Sequence, residues 1–363
     1  MLNITTKINN DIWSENQLDR IQRERRIVTL HEMKRLGASI KQGGRELSHD
    51  DINFLTFDEL REVLLNSKVE LGVDGFQKIY KDQLELADDM WRGIAKQWTP
   101  GSETLDSGFE MTIQGVSLDS AMQAIATLTH EEMLDANPEH FALTDDGESK
   151  YGAEICGMYG GPLAGIVNYE DLFGDNAPDW VEKADGFREK TGGYGKLASD
   201  GTEVHISSTI AMKPTESGFI FKSTIHWPVG TPVDMVEGHK IHLAIEYLEG
   251  FRLAEKKQAE LAEIANNQEG TSYDIIAETP MGNQDGQLFL DIKGNDVSGT
   301  LIIMGKENSF ADGTIDENGN LSFNGKVKAG IGKVKFSASG TLVDGQVHIT
   351  LKSKIGNIVV KSK

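Results

Sequence analysis

The chain changes character near residue 280, and that break limits what it can fold into. All five Trp, all eight Pro and the only Cys (Cys156) precede Met281. Beyond it, short alternating runs are cut by Gly286, Gly294, Gly299, Gly305, Gly313, Gly319 and Gly325. Related small turns recur at 280–283, 330–333 and 354–357, each ahead of an apolar alternating run. A tail without a helix to cover its sheet must close on itself or stack two sheets. Residues 281–363 are therefore expected to form a small all-β domain, barrel-like and accessory, whose one histidine, His348, has no ligand cluster around it.

Charge narrows the partners. The 363 residues carry a net −21, which argues against nucleic acid and anionic membranes, since both need a basic footprint. From 281 to 363, ten Lys meet eight Asp or Glu, so residues 1–280 carry −23. No apolar run approaches a membrane span, and the N-terminus lacks a basic and then apolar leader. A single Cys fits a reducing compartment, so the expected location is cytoplasmic. A homo-oligomer is allowed.

Before the break, the chain is expected to be α+β. Residues 1–104 read as a helical N-terminal region. Thr56-Phe57-Asp58-Glu59 is a capping box opening an amphipathic stretch, and a second helical pattern runs from about 74 to 97. The charge run Arg20, Arg23, Arg25 and Arg26 reads as a solvated helix face. Residues 105–266 read as a helix-grip domain. Strands at 109–114, 140–143, 152–158, 204–212 and 218–227, with a helix at 117–134, precede one long helix. Thr231 as N-cap, Pro232 in the first turn and Asp234 open that helix, which runs to about Ala265, roughly 50 Å at 1.5 Å per residue. An antiparallel sheet closed by such a helix encloses a natural ligand site. Residues 267–280 read as a linker.

One constellation carries chemistry. His242 and Glu246 are four apart, so they project from one helix face, with His239 one turn earlier. Imidazole nitrogen and carboxylate oxygen at this spacing can reach one Zn²⁺, although on a surface helix they are also an ordinary solvated pair. A hairpin turning at 145–148 sets His140 opposite Glu154, on one face with Cβ atoms about 5 Å apart. Together the pairs make a His₂Glu₂ set. The plain alternative is a turn-capping His140 and a salt-bridged Glu154.

Here the sequence resembles a family. His242-Leu243-Ala244-Ile245-Glu246-Tyr247-Leu248 looks like the metal-binding helix of the diacetylphloroglucinol hydrolase and phloretin hydrolase family. Ala153-Glu154-Ile155-Cys156-Gly157-Met158-Tyr159-Gly160-Gly161 is similar to the segment that holds its metal-binding glutamate. The resemblance covers residues 108–252. It implies a helix-grip domain, Zn²⁺ held by two His and two Glu, and hydrolysis of the carbon–carbon bond between an acyl carbonyl and a polyhydroxylated aromatic ring. The ligands it implies are His242, Glu246 and Glu154, with His140 fourth. Where the family has its first histidine this chain has Gln123 or Ala124, which leaves His130 or His140 to take that place.

Acid–base roles at such a site fall to His205, His226 and Tyr159. His205 and His226, nearly opposite on paired strands, line the cavity in this reading or are structural histidines. Tyr159, Tyr247 and Trp227 either hold a phenolic ring or belong to the core, and Cys156 is expected to be a buried, inert thiol. Gly157–Gly161 lacks the Lys-Ser/Thr of a phosphate loop. A helix-grip binding protein for a hydrophobic or phenolic ligand, or a metal-free cyclase or isomerase, is the rival expectation.

Overall fold

The computed structural model describes residues 2–125, 128–145, 150–155, 166–170, 180–193, 195–267, 270–279, 282–303, 306–329, 332–354 and 356–363. It divides into two units, Met1–Leu118 with Thr129–Leu253, and Asp119–Leu128 with Ala254–Lys363.

The first unit is α+β, and it begins with sheet. In β1 (Asn3–Ile8), Ile4, Thr6 and Ile8 alternate inward. β2 (Asp11–Trp13) folds back on it, and α1 (Glu15–Arg35) starts from a Ser14 capping box. A small hairpin, β3 (Lys41–Gln42) and β4 (Arg45–Glu46), leads to α2 (His49–Asn53). α3 (Phe57–Ile79) opens on the Thr56–Glu59 capping box as expected. The pattern read from 74 to 97 as one helix is two. α3 runs on through Gly72, whose φ of 61° interrupts it, and α4 (Lys81–Ala95) starts afresh after Tyr80. The N-terminal region is therefore not helical throughout, and it shares a unit with Thr129–Leu253.

β5 (Thr104–Gln114) is succeeded by α5 (Leu118–Ile125) and α6 (His130–Ala136), two helices where one was expected. Thr129 accounts for the restart, because its hydroxyl caps α6 with Glu132 in another capping box. Next come β6 (His140–Asp145), β7 (Lys150–Ile155), β8 (Ile166–Glu170), β9 (Val181–Glu182), β10 (Arg188–Gly193), β11 (Lys196–Leu197), β12 (Ser207–Thr215) and β13 (Gly218–Pro228). They make two antiparallel sheets, in orders β2-β1-β5-β13-β12-β10-β9 and β11-β8-β7-β6.

α7 (Val233–Asn267) is the long helix read from the sequence, 35 residues. Its start differs in detail. The Thr231 hydroxyl donates to the Pro228 carbonyl, and the Met235 and Val236 amides donate to the Pro232 carbonyl. One face of α7 meets the larger sheet. Tyr247 and Phe251, four apart, pack on Phe221 at 4.5 and 5.5 Å between ring centroids. Trp227 Nε1 donates to Ser107 Oγ, which donates to the Val236 carbonyl. Trp227 is thus core, and Tyr247 packs half-buried on the same aromatic cluster.

The second unit contains a closed antiparallel barrel of β14 (Thr271–Thr279), β15 (Gly282–Lys293), β16 (Asp296–Ile303), β17 (Lys306–Ile315), β18 (Asn320–Ala329), β19 (Gly332–Val343), β20 (Gln346–Ser353) and β21 (Gly356–Ser362). The supposed linker is mostly β14, whose Ile275 and Ala277 are buried in the barrel core. Aliphatic side chains and Phe310, Phe323 and Phe336 fill that core. The three recurring turns precede β15, β19 and β21, which each start at the glycine of the repeat. Glycine is required where strands approach closely: a Cβ on Gly299 would lie 2.0 Å from the Phe289 carbonyl oxygen. No helix of the described residues is long and apolar enough to cross a membrane.

Candidate metal centre

Sequence sets the register of the site. His140 pairs directly with Glu154 across β6 and β7, as the hairpin reading requires. The ladder then shifts by one residue, so Phe141 is the extra residue of a bulge. Bulges re-aim side chains, and this one separates two neighbours. Phe141 stacks on Phe76 at 5.1 Å and packs tilted against Tyr80 at 4.9 Å in the helical core, and His140 meets α7 with its ring centroid 5.2 Å from that of His242.

His140, Glu154 and His242 each offer one ligand atom, all within 4.8 Å of one another, and this group could hold a metal ion. His140 Nε2 lies 3.2 Å from Glu154 Oε2, and His242 Nε2 lies 3.8 Å from it. Glu246 joins from one turn along α7, with Oε2 3.7 Å from His140 Nε2 and 4.0 Å from His242 Nε2. Among the described residues, His242 Nε2 is buried with no hydrogen-bond partner, which ordinarily costs about 1–3 kcal/mol and is relieved by a ligand.

A supporting layer fixes the His242 ring. Its Nδ1 donates to Glu139 Oε2 at 2.8 Å, so the Nε2 lone pair is the one turned to the cluster. Arg25 holds the same carboxylate through Nη1 and reaches the Gly238 carbonyl on α7 at 3.1 Å. Asn137 accepts from the Glu139 amide at 2.9 Å and donates to the His242 carbonyl at 3.3 Å. Lys68 in turn donates to the Leu134 and Asn137 carbonyls at 3.0 and 2.9 Å. A second charge network anchors the elements. Arg61 binds Asp135 of α6 and Glu249 of α7, and Arg252 binds Glu249, Asp19 and Glu15.

Burial and charge oppose each other here. Burial disfavours a charged His140, but Glu154 and Glu246 outweigh it and raise its pKa. Burial also works against the Glu154 carboxylate, yet the imidazoles of His140 and His242 hold its pKa well below the usual range. Burial raises Glu246. Burial, with His242 stacked 4.6 Å away, pulls His239 well below the usual imidazole value, so it stays neutral.

Other expected site residues go elsewhere. His226 lies on the opposite face of the larger sheet from α7, with Nδ1 2.8 Å from Asp106 and Nε2 2.9 Å from Thr209. His205 precedes β12 with a φ of 54°, its ring 3.9 Å from that of Trp98, and Ser207 stands opposite His226 in its place. Two residues of separation from the strand thus remove the pairing. His130 opens α6 behind its cap. Tyr159, Cys156 and the glycines at 157, 160 and 161 lie outside the described residues.

Sequence reading missed Glu139 and Arg25. Arg25 and Arg26 are 2% and 0% exposed, which corrects the solvated reading of their charge run. Their partners, Glu139 and Asp135, are more than a hundred residues away. The available signal was local: paired arginines on the apolar stripe of α1, and a carboxylate directly before a ligand histidine. Compared with known proteins, the chain matches no family model, no curated protein and no solved structure.

Proposed function

We propose that His140, His242, Glu154 and Glu246 hold one Zn²⁺, and that the chain hydrolyses the carbon–carbon bond between an acyl carbonyl and a polyhydroxylated aromatic ring. The observation that carries the metal is convergence: two imidazole nitrogens face two carboxylate oxygens at 3.2–4.0 Å. Tetrahedral zinc with bonds of 2.0–2.2 Å separates its ligand atoms by about 3.3–3.6 Å, which the His–Glu separations approach; His140, Glu154 and His242 form the close group, and Glu246 is the fourth donor in this reading. The larger sheet with α7 laid on it is, in this reading, a helix grip. The family resemblance of the two ligand segments supports the reaction class.

When bound, the ion supplies Lewis acidity, polarising an acyl carbonyl or ortho hydroxyl and acidifying water. Glu139 keeps the proton on His242 Nδ1, and Arg25 holds Glu139 in place. His226 and His205 leave the acid–base role, which Tyr159 retains: its phenol protonates the ring carbon as the aryl group departs. A polyhydroxylated ring accepts those electrons because it can tautomerise to a ketone.

The test is release of free polyphenol from phloretin-like acyl-phenols by the chain as purified, after chelation, and after zinc is restored. Release that disappears and returns with zinc supports the hydrolase. Tight binding of these ketones by the zinc-loaded chain without any release replaces it with a binding protein.

A further inference from the structure

The barrel divides its charge. Residues 271–319, which build β14–β17, hold two Lys and nine Asp or Glu, net −7. Residues 320–363, which build β18–β21, hold eight Lys and one Asp, net +7. Lys361 and Lys363 are paired at the seam, with Glu278 and Asp285. The other six gather elsewhere. Lys326 stands directly opposite Lys335, and Lys328 opposite Lys333, beside the β18–β19 connection. Lys352 and Lys354 adjoin the β20–β21 connection. In an up-and-down barrel, alternate connections share an end, so all six lie towards one rim. Like charges directly opposite on a ladder are destabilising, and this hairpin carries two such pairs. Lys326, Lys335, Lys352 and Lys354 are exposed and have no ion-pair partner among the described residues.

The opposite rim carries Asp296, Asp312, Asp316, Glu317 and Asp344, at or beside the connections β15–β16, β17–β18 and β19–β20. We propose that the barrel is a self-association module, in which the lysine rim of one copy docks on the acidic rim of a second copy of this chain. Antiparallel, side-by-side barrels bring each basic rim against the other's acidic rim, twice, about one two-fold axis, so the assembly closes as a dimer. The equal and opposite halves favour this occupant, since a second copy satisfies both. The lysine surface lacks the arginines and aromatic rings that read or stack bases. Residues 1–270 carry the whole −21 and repel at long range, but near 0.15 M salt a Debye length of about 8 Å screens that repulsion and spares contacts.

Sedimentation velocity of the full chain at about 0.15 M and about 1 M salt tests this, since the Debye length falls to about 3 Å in the second. The wild type is expected to sediment as a dimer in the first and a monomer in the second. Two variants, Lys326→Glu with Lys335→Glu and Lys352→Glu, and Asp296→Lys with Asp312→Lys and Glu317→Lys, should each be monomeric alone. Mixed in equal amounts they should restore the dimer, which misfolded chains would not do. A monomeric wild type at both salts, or a lysine variant that still dimerises, overturns the proposal. Uptake of a monomeric wild type by anionic vesicles or duplex DNA also overturns it, giving the lysines another occupant.

Discussion

Glu139 Oε2 lies 2.8 Å from His242 Nδ1, and neither side chain is more than 1% exposed. A buried carboxylate that accepts from one ring nitrogen decides which nitrogen is left for a ligand. Outer partners of this kind are worth about tenfold to a hundredfold in metal affinity. Glu139→Gln keeps the shape and an acceptor oxygen but removes the charge. A zinc titration of that variant should show affinity lower by about that factor, and unchanged affinity would leave Glu139 a purely structural residue.

Arg25 gives the complementary test. Replacing it by Met leaves the Glu139 carboxylate buried without its guanidinium, a change that typically costs about 3–5 kcal/mol. Denaturant unfolding should report a loss of that order. A loss under about 1 kcal/mol would mean that Glu139 finds water there instead.

α7 and the β6–β7 hairpin were legible because both signals are local: the Thr231-Pro232-Val233-Asp234 helix start, and a turn that fixes the pairing of His140 with Glu154. The barrel was legible from its short glycine-punctuated alternating runs without a covering helix, although Gly286, Gly299, Gly313 and Gly325 lie inside β15–β18 rather than between strands. The features that escaped were non-local or a matter of one or two residues. The Arg25 and Arg26 partners are supplied by tertiary contact, and the 267–280 stretch read as linker from the polar run Asn266-Asn267-Gln268-Glu269-Gly270 at its start, although β14 occupies Thr271–Thr279. His205 shows how steeply a site reading depends on where a strand begins: β12 starts at Ser207, and the cross-strand partner of His226 changes with it.

Lys68 is buried, and burial holds its pKa well below the ordinary value of 10.5. Between the depressed value and 10.5 the unfolded chain binds more protons than the native one, so stability rises with pH across that window. Lys68→Met should flatten the rise. It should also cost about 1–3 kcal/mol by leaving the Leu134 and Asn137 carbonyls without their donor. Urea unfolding at about pH 7 and about pH 10 checks both, and parallel pH dependence in the two proteins would be the contrary result.

His226 sits with Asp106 and Thr209 away from the cluster. His226→Ala should therefore retain its metal and lose no more than about 1 kcal/mol of stability, the size of one exposed cross-strand pair. Loss of metal in that variant would place the site on the other face of the sheet.

Gly299→Val tests the barrel. A Cβ there meets the Phe289 carbonyl oxygen at 2.0 Å and the Phe310 ring at 3.0 Å, and the backbone cannot yield as a flexible side chain would. Thermal unfolding should show a loss of about 3 kcal/mol or more, while metal content is unchanged. Wild-type stability would show that the strands can separate at this point.

The most direct test of the account is metal content. Elemental analysis of the full chain, purified without added metal and then dialysed against zinc, should find about one ion per chain. The same measurement on His242→Ala and on Glu154→Gln should find it largely lost, with the helical signal retained because Ala suits a helix better than His. A wild type that stays empty after zinc exposure, or a His242→Ala chain that keeps full occupancy, would contradict a metal centre at His140, Glu154 and His242.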